Sequence, residues 1–402
     1  MKIAVVCDSF KGSLTSKDAC AAVKDGLLRC NKNFEVLSLP FADGGEGTSR
    51  CFYDILGGQL RKAAVHDPLL REITAEYTVL PDGTAVIDIA SASGLTLLKS
   101  SERDAVKMSS LGSGELICDA AEHGAKHIIL GLGGSATTDA GTGILYALGM
   151  RFFSEDGVEV LPDGQNMIRV KKIRRTENFE RFKDIKFTLA CDVTNPLCGE
   201  NGAAYVFSPQ KGASKNDVKL LDDGLRNIGE IFEKASGKKI INLPGAGAAG
   251  GIGGGLSAFL NCELQSGFDV LARAASLEDK IRRSDAVITG EGKTDRQTLF
   301  GKLPKRVSDI AEKFGVPCIL LSGDVENDIS AEKLGVCEIH KIKENGISLE
   351  HCMKNAASLL SEKAFAIGKN SKIINKQYSR KQEKMRETVL TKSFLRDNIF
   401  GQ

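Results

Sequence analysis

Residues 3–13 read Ile3-Ala4-Val5-Val6-Cys7-Asp8-Ser9-Phe10-Lys11-Gly12-Ser13, and this stretch decides the fold. Five consecutive apolar residues without alternation suit a strand covered on both faces, as in a parallel sheet. In such a sheet the polar loop that follows falls at the carboxyl edge, where ligands bind. Thr15 then precedes Asp18 by three positions, in the manner of a capping box. Behind it Ala19, Ala22, Val23, Gly26, Leu27 and Cys30 recur with the helical period. Phe34–Leu39 reads as the next strand, followed by Asp43-Gly44-Gly45-Glu46-Gly47 and a helix ending near Gly57-Gly58. The chain therefore opens β-α-β-α.

The far end has the same grammar. Asp285–Thr289, Val316–Leu321 and Cys337–Ile342 read as strands, and Lys302–Phe314 and Leu349–Ile367 as helices. Neither end has enough strands to cover its own sheet, but together they make one open, doubly wound parallel sheet of about five strands. Between them, Ile73–Leu80 and Ala85–Ile89 flank the turn Pro81-Asp82-Gly83 and predict a hairpin. A second hairpin is expected around Phe152–Val160, and strands at His127–Leu132 and Lys186–Cys191 alternate with helices. The expected fold class is thus α/β: one doubly wound domain from residues 1–66 plus 284–370, and a second α/β domain, 67–283, inserted into it. Residues 371–402 carry eight basic side chains against three acidic ones and read as a frayed or disordered tail.

Composition removes several function classes. The chain has 402 residues with 54 Lys and Arg against 52 Asp and Glu, so an all-over electrostatic grip on nucleic acid or anionic lipid is not expected. A hydrophobic fraction of 42% is enough to build cores and excludes global disorder. No apolar run nears the ~20 residues of a membrane span. Met1-Lys2 leads straight into Ile3, with neither the h-region nor the cleavage site of a secretory signal. Eleven cysteines without a C-x-x-C pair point to reduced thiols, a cytoplasmic location and no zinc. His123 and His127 have i,i+4 spacing, but Gly124 is expected to end the helix between them. A homodimer is left open.

Two nucleotide motifs fail on close reading. Gly292-Lys293-Thr294 resembles the end of a P-loop, yet Val287 stands where its first glycine is required. Gly245-Ala-Gly-Ala-Ala-Gly250 matches the dinucleotide fingerprint after an expected strand at Lys239–Leu243, with Asp269 about twenty residues on. Pro244 intervenes, however, and the motif lies deep in the chain. It still motivates one alternative, an NAD-dependent dehydrogenase of a small hydroxy acid.

Loops at strand ends are more informative. Asp8–Ser13, Asp43–Gly47 and Gly290-Glu291-Gly292-Lys293-Thr294-Asp295 all fall at the carboxyl edge of the terminal sheet. The inserted domain adds Gly131–Gly141, Asp192–Pro196 and Pro209-Gln210-Lys211-Gly212. Any one of these is ordinary turn and cap chemistry. As a set, carboxylates, lysines and glycine-rich hydroxyl loops suit transfer of a phosphoryl group from a magnesium nucleotide, where positioning and charge neutralisation do most of the catalysis.

These motifs resemble those of the bacterial-type glycerate kinases. The likeness runs from Met1 to about Lys369. It is carried, in order, by Asp8–Gly12, Ala42–Gly47, Gly133-Gly-Ser-Ala-Thr137, Cys191-Asp-Val193 with Asn195-Pro-Leu197, Pro209–Gly212, Pro244–Gly251, and Gly290–Gly292 with Asp295 and Gln297-Thr298. The resemblance implies a flavodoxin-like domain and an inserted one. It also implies ATP-dependent phosphorylation of D-glycerate, at the 2-hydroxyl, to 2-phosphoglycerate. Two departures stand out. The family's usual Asn-Asp-Gly-Gly is Thr138-Asp139-Ala140-Gly141 here, where Thr can keep a hydroxyl contact but Ala adopts positive φ less readily than Gly. The tail also lies outside the pattern. A catalytically inactive sensor of the same fold is therefore a third reading.

Phosphoryl transfer to a hydroxyl requires a proton acceptor, carboxylate-anchored metal, cations on the phosphates and donors for the acceptor's carboxylate. On that basis Asp192 is the expected base, in a partly desolvated position, with Asp8 next in line. Asp43, Glu46 and Asp295 are the expected Mg²⁺ anchors. Lys11 and Lys211 would neutralise the transferring group. Gly133, Gly134, Ser135, Thr137 and Asp139 form the nucleotide set, and Ser9, Gln210 and Glu291 the glycerate set.

Overall fold

The computed structural model describes residues 1–380 apart from Asp43 and Asn345. The chain divides into two compact units, Met1–Phe41 with Ser276 onward, and Ala42–Ala275. Among the described residues no helix is long and apolar enough to cross a membrane.

The first unit holds a five-stranded sheet in the order Glu35–Pro40, Lys2–Cys7, Ala286–Gly290, Cys318–Ser322, Glu338–Lys341. Every neighbouring pair is parallel, with Ile3 opposite both Ala286 and Val36. This is the doubly wound order of a flavodoxin-like sheet, and its switch point lies between Lys2–Cys7 and Ala286–Gly290. The apolar runs Ile3–Cys7 and Ala286–Ile288 are buried, as two-sided cover by helices demands. Helix Ser16–Cys30 begins as its sequence requires: the Thr15 hydroxyl accepts from the Asp18 amide at 3.1 Å and donates to the Asp18 carboxylate at 2.6 Å. The expected helix Leu349–Ile367 is broken in two, Leu349–Lys354 and Ala356–Asn370.

The second unit holds a six-stranded sheet in the order Asn261–Gln265, Lys186–Ala190, His127–Gly131, Ala85–Asp88, Glu72–Val79, Gln59–His66. The first three pairings are parallel and the last two antiparallel. The predicted hairpin around Pro81–Gly83 is present, with Val79 opposite Ala85. The second hairpin is reduced to one bridge, Phe153 to Glu159, because Met150–Phe153 takes Lys172–Arg175 as its ladder partner. No strand forms at Lys239–Leu243. Gly124, at φ +90°, follows the end of helix Leu111–Glu122, and His127 opens a strand, so the two histidines share no helix face.

The crossings between units differ from the sequence boundaries of 66/67 and 283/284. Gln59–His66 pairs along its full length with Glu72–Val79, and Ser49 on helix Thr48–Leu56 bonds Thr78 and Val86 at 2.9 Å, which draws residues from 42 onward into the second unit. At the other end, Glu278 on helix Leu277–Arg282 pairs with Lys313 at 2.9 Å, so residues from 276 return to the first unit.

The tail also begins later than expected. Residues 372–380 are helical, Ile374 is fully buried in the first unit's core, and Tyr378 meets Phe34 edge-on at 5.8 Å. The expectation of a disordered tail otherwise concerns residues 381–402, outside the described residues. Truncating a buried aliphatic side chain removes transfer energy and leaves a cavity. Ile374→Ala should therefore lower unfolding stability by about 2–4 kcal/mol in denaturant titration. A loss below about 0.5 kcal/mol would show that this segment contributes no core contact.

Candidate active site

At the carboxyl ends of Ala85–Asp88, His127–Gly131 and Lys186–Ala190, three loops of the second unit stack on one another. The Gly133 amide donates to Gly44 O at 3.1 Å and the Leu132 amide to Ala190 O at 3.1 Å. A methyl group on Gly133 would lie 2.4 Å from the Gly45 Cα, so only a glycine allows the two backbones to meet. They line a cleft of about 330 Å³ together with Leu95, Ala249 and other groups. Six expected site residues meet there: Gly133, Gly134, Ser135, Asp192, Gln210 and Lys211.

The other two members of the nucleotide set stand behind this wall. Thr137 is fully buried, with its amide donating to the Ser135 hydroxyl at 3.1 Å. Asp139 is fully buried too. Its carboxylate accepts from the Ser110 amide at 2.8 Å, the Ser110 hydroxyl at 2.7 Å, and the Gly141 and Gly143 amides at 3.1 and 3.3 Å. Burial pushes its pKa up and these bonds pull it down. Asp139 thus braces the loop from inside, away from the cleft.

Lys211 ends the short turn Pro209–Lys211, which a left-handed Gly212 terminates. The residue is 2% exposed, and its ammonium donates to Thr137 O at 2.6 Å. Desolvation drags its pKa down to about 7, opposed through space by Asp139. Asp192 is exposed on the opposite count from expectation: residues 192–194 stand out in solvent after the strand ends, so the partial desolvation assigned to it is not present in the free chain. Glu46 is also exposed and accepts from the Thr96 hydroxyl at 3.3 Å. Asp43 lies outside the described residues.

The first unit has its own constellation at the switch point. The Asp8 amide donates to Gly290 O at 2.9 Å, and Asp8 Oδ1 accepts from the Ser9 amide at 2.6 Å. Lys11 is exposed. Glu291 is buried, raised in pKa by desolvation, and accepts from the Thr298 hydroxyl at 2.7 Å. Asp295 caps helix Arg296–Leu299. Its Oδ1 accepts from the Gln297 amide at 2.9 Å and pairs with Lys302 at 3.1 Å. Partial desolvation pushes its carboxyl up, but Lys302 and the cap amides outweigh that and hold it below the usual range. Among the described residues no group of three or more His, Cys, Asp and Glu is gathered to hold a metal. Glu46 in the second unit and Asp295 in the first each offer hard carboxylate oxygens, of which Mg²⁺ takes only one or two beside water and phosphate oxygens.

Sequence reasoning missed Asp88. It ends a strand, is 5% exposed, and its pKa is pushed up to about 7 by desolvation, against the pull of the Ser49 and Gly47 amides. A carboxylate closing an otherwise apolar strand was the available signal.

The Pro244–Gly251 stretch is a packing device. Ala249, Gly250 and Gly251 are all left-handed and interrupt helix Ala248–Phe259, and a methyl on Gly250 would lie 2.0 Å from Thr137 O. With neither a preceding strand nor a regular helix start, the context of a dinucleotide fingerprint is absent.

Comparison with known proteins decides the family. The model of the glycerate kinase family matches residues 3–372. The chain belongs to the glycerate kinase family. It is 41% identical to a glycerate 2-kinase of Escherichia coli over 82% of its own length and 87% of the relative's. With a glycerate kinase of Halalkalibacterium halodurans it shares 38% identity over 90% and 96%. A crystal structure assigned to glycerate kinase 2 of Salmonella typhimurium LT2 superposes with a TM-score of 0.81 at 35% identity, covering 92% of this chain and 97% of that one. The dehydrogenase reading falls with this result.

The departure at Ala140 is visible in the backbone. Its φ is +52°, the conformation a glycine would adopt more cheaply, and the residue is fully buried. Relief of about 1–2 kcal/mol of strain exceeds the roughly 0.5–1 kcal/mol by which glycine favours the unfolded chain. Ala140→Gly should therefore raise unfolding stability by about 0.5–1 kcal/mol, read by thermal or denaturant melts. A destabilised variant would show that the Ala140 methyl contributes more through packing than it costs in strain.

Proposed function

We propose that the chain transfers the γ-phosphoryl group of ATP to the 2-hydroxyl of D-glycerate, giving 2-phosphoglycerate and ADP. The observation that carries this reading is the cleft in which Asp192, Gln210 and Lys211 meet the Gly133–Ser135 loop, within a chain of this family. Glycine-rich backbone can approach phosphate oxygens closely, and Ser135 adds a hydroxyl. Asp192 takes the proton from the glycerate hydroxyl as its oxygen attacks phosphorus and ADP leaves. Lys211 neutralises charge on the transferring group, while Gln210 orients glycerate. Thr137 and Asp139 act from behind, as the support of the phosphate loop. Within the second unit Glu46 would hold Mg²⁺, which would supply charge neutralisation at the phosphates.

Purified protein with ATP, Mg²⁺ and D-glycerate should release ADP only when glycerate is present. Glycerate-independent release, or none, would overturn the assignment. Phosphorus NMR of the product should report the 2-phosphate. Asp192→Asn should lower kcat by roughly 10²–10⁴-fold with near-normal ATP affinity. A variant within threefold of wild type would pass the role to Asp8.

Lys211 makes a second prediction. Its folded pKa lies below the unfolded value, so the ammonium is present below about pH 7 and lost above it. Where phosphates bind the charged form, ATP affinity weakens as pH rises through 7, by up to about tenfold per pH unit. Lys211→Met should bind ATP more weakly with a flat profile, measured by calorimetry from pH 6 to 9. A wild-type profile that is equally flat would remove Lys211 from the phosphate contacts.

A further inference from the structure

We propose that Asp88 is a positioning residue of the kinase reaction, holding the Gly44–Ser49 turn in the register that the cleft requires. The inference rests on the kinase reading above. Helix Thr48–Leu56 starts at Gly47, which has no side chain to cap its free amides. Asp88 supplies the cap from a different element: its Oδ2 accepts from the Gly47 amide at 2.9 Å and its Oδ1 from the Ser49 amide at 3.0 Å. The favourable end of the helix dipole adds to these charge-assisted bonds. Ser49 in turn donates to Val86 O, so the helix start is tied to the same strand twice.

The carboxylate also sets a spacing. On the adjacent strand, a methyl on Gly131 would lie 2.9 Å from Asp88 Oδ1 and 3.2 Å from Gly44 O. Gly44 O is the acceptor for the Gly133 amide, and Gly45 lies against Gly133, whose loop lines the cleft. The path is contiguous: Asp88 to the Gly47 and Ser49 amides, from that turn to Gly44 and Gly45, and from them to Gly133 and Gly134. An exposed Ser, Thr or Asp would cap the helix without the cost of burying a carboxylate. What the buried group adds is a fixed distance between the turn and the phosphate loop, and misplacement of about 1 Å at such a loop can cost 10²-fold in rate.

Asp88→Asn keeps the shape and loses one acceptor. The variant should melt near wild type yet show kcat at least tenfold lower with KM for ATP within threefold. Hydrogen–deuterium exchange in the peptide 44–56 should be at least tenfold faster. Gly131→Ala, which crowds the carboxylate without changing its chemistry, should move both readouts in the same direction. A variant Asp88→Asn with kcat within twofold of wild type, or with exchange unchanged, overturns the proposal. So does a rate loss matched by the loss of folded protein, which a purely structural role predicts. Failure of the wild-type protein to phosphorylate glycerate would instead sink the kinase reading, while the exchange data would still judge the tether.

Discussion

Backbone pressed against backbone is the constraint on which the second unit's cleft depends. The loop Gly133–Ala140 is gripped on one side by Gly45 and on the other by Gly250, each at separations that a single methyl group would abolish. Such contacts leave no side chains to rearrange, so the loop has few alternative conformations. Phosphate binding gains from that, because affinity and rate both depend on donors that need no reorganisation. The cost is local strain, visible in the positive φ of Ala140 on the loop and of Ala249 on the segment that grips it. Strained residues persist only where their surroundings over-determine them. Here the surroundings are glycine-rich strand ends fixed by a six-stranded sheet.

Buried charge repeats the same logic. Asp88 and Asp139 are carboxylates with almost no solvent, and each is satisfied mainly by backbone amides of loops it must hold. Lys211 is an ammonium with a carbonyl as its near partner. Desolvation moves all three toward their neutral forms, and in each case hydrogen bonds or through-space charge oppose it. Only Lys211 also faces the cleft, which makes it the buried group that an incoming phosphate would recharge.

How much of this was legible in the sequence depended on the range of the interaction. Continuous apolar runs such as Ile3–Cys7 fix parallel strands locally, and the five-stranded sheet followed from them. The Pro81–Gly83 hairpin was legible from its turn residues. Gln59–His66 was not, because Gln-Leu-Arg-Lys-Ala-Ala alternates poorly and becomes a strand by pairing with Glu72–Val79. That one strand carries the domain boundary with it. Ile374 was hidden between Lys372 and Lys376, since the short pair Ile373-Ile374 gains its burial from a distant core. In the site, the loop motifs were readable only as a set, because each glycine, acid and hydroxyl cluster alone is ordinary turn chemistry. Asp88 was not, since its partners are amides about forty residues away.

The inactive-sensor reading loses most of its ground at the two substituted positions. Thr138 keeps a hydroxyl and uses it: its Oγ1 lies 2.9 Å from the Ser208 hydroxyl, at the base of the turn that presents Gln210 and Lys211. The loop and the turn are thereby joined beside the Lys211–Thr137 bond. Ala140 follows the left-handed path expected of glycine, and its amide donates to Gly250 O at 3.0 Å. Both changes therefore preserve the contacts that hold the loop, at the expense of strain in one residue. Behind the loop, the desolvated Lys211 and the buried Asp139 keep their hydrogen bonds beside the substituted positions. Ala140, Lys211 and Asp139 are thus all arranged around a single glycine-rich loop whose geometry the two substitutions leave in place.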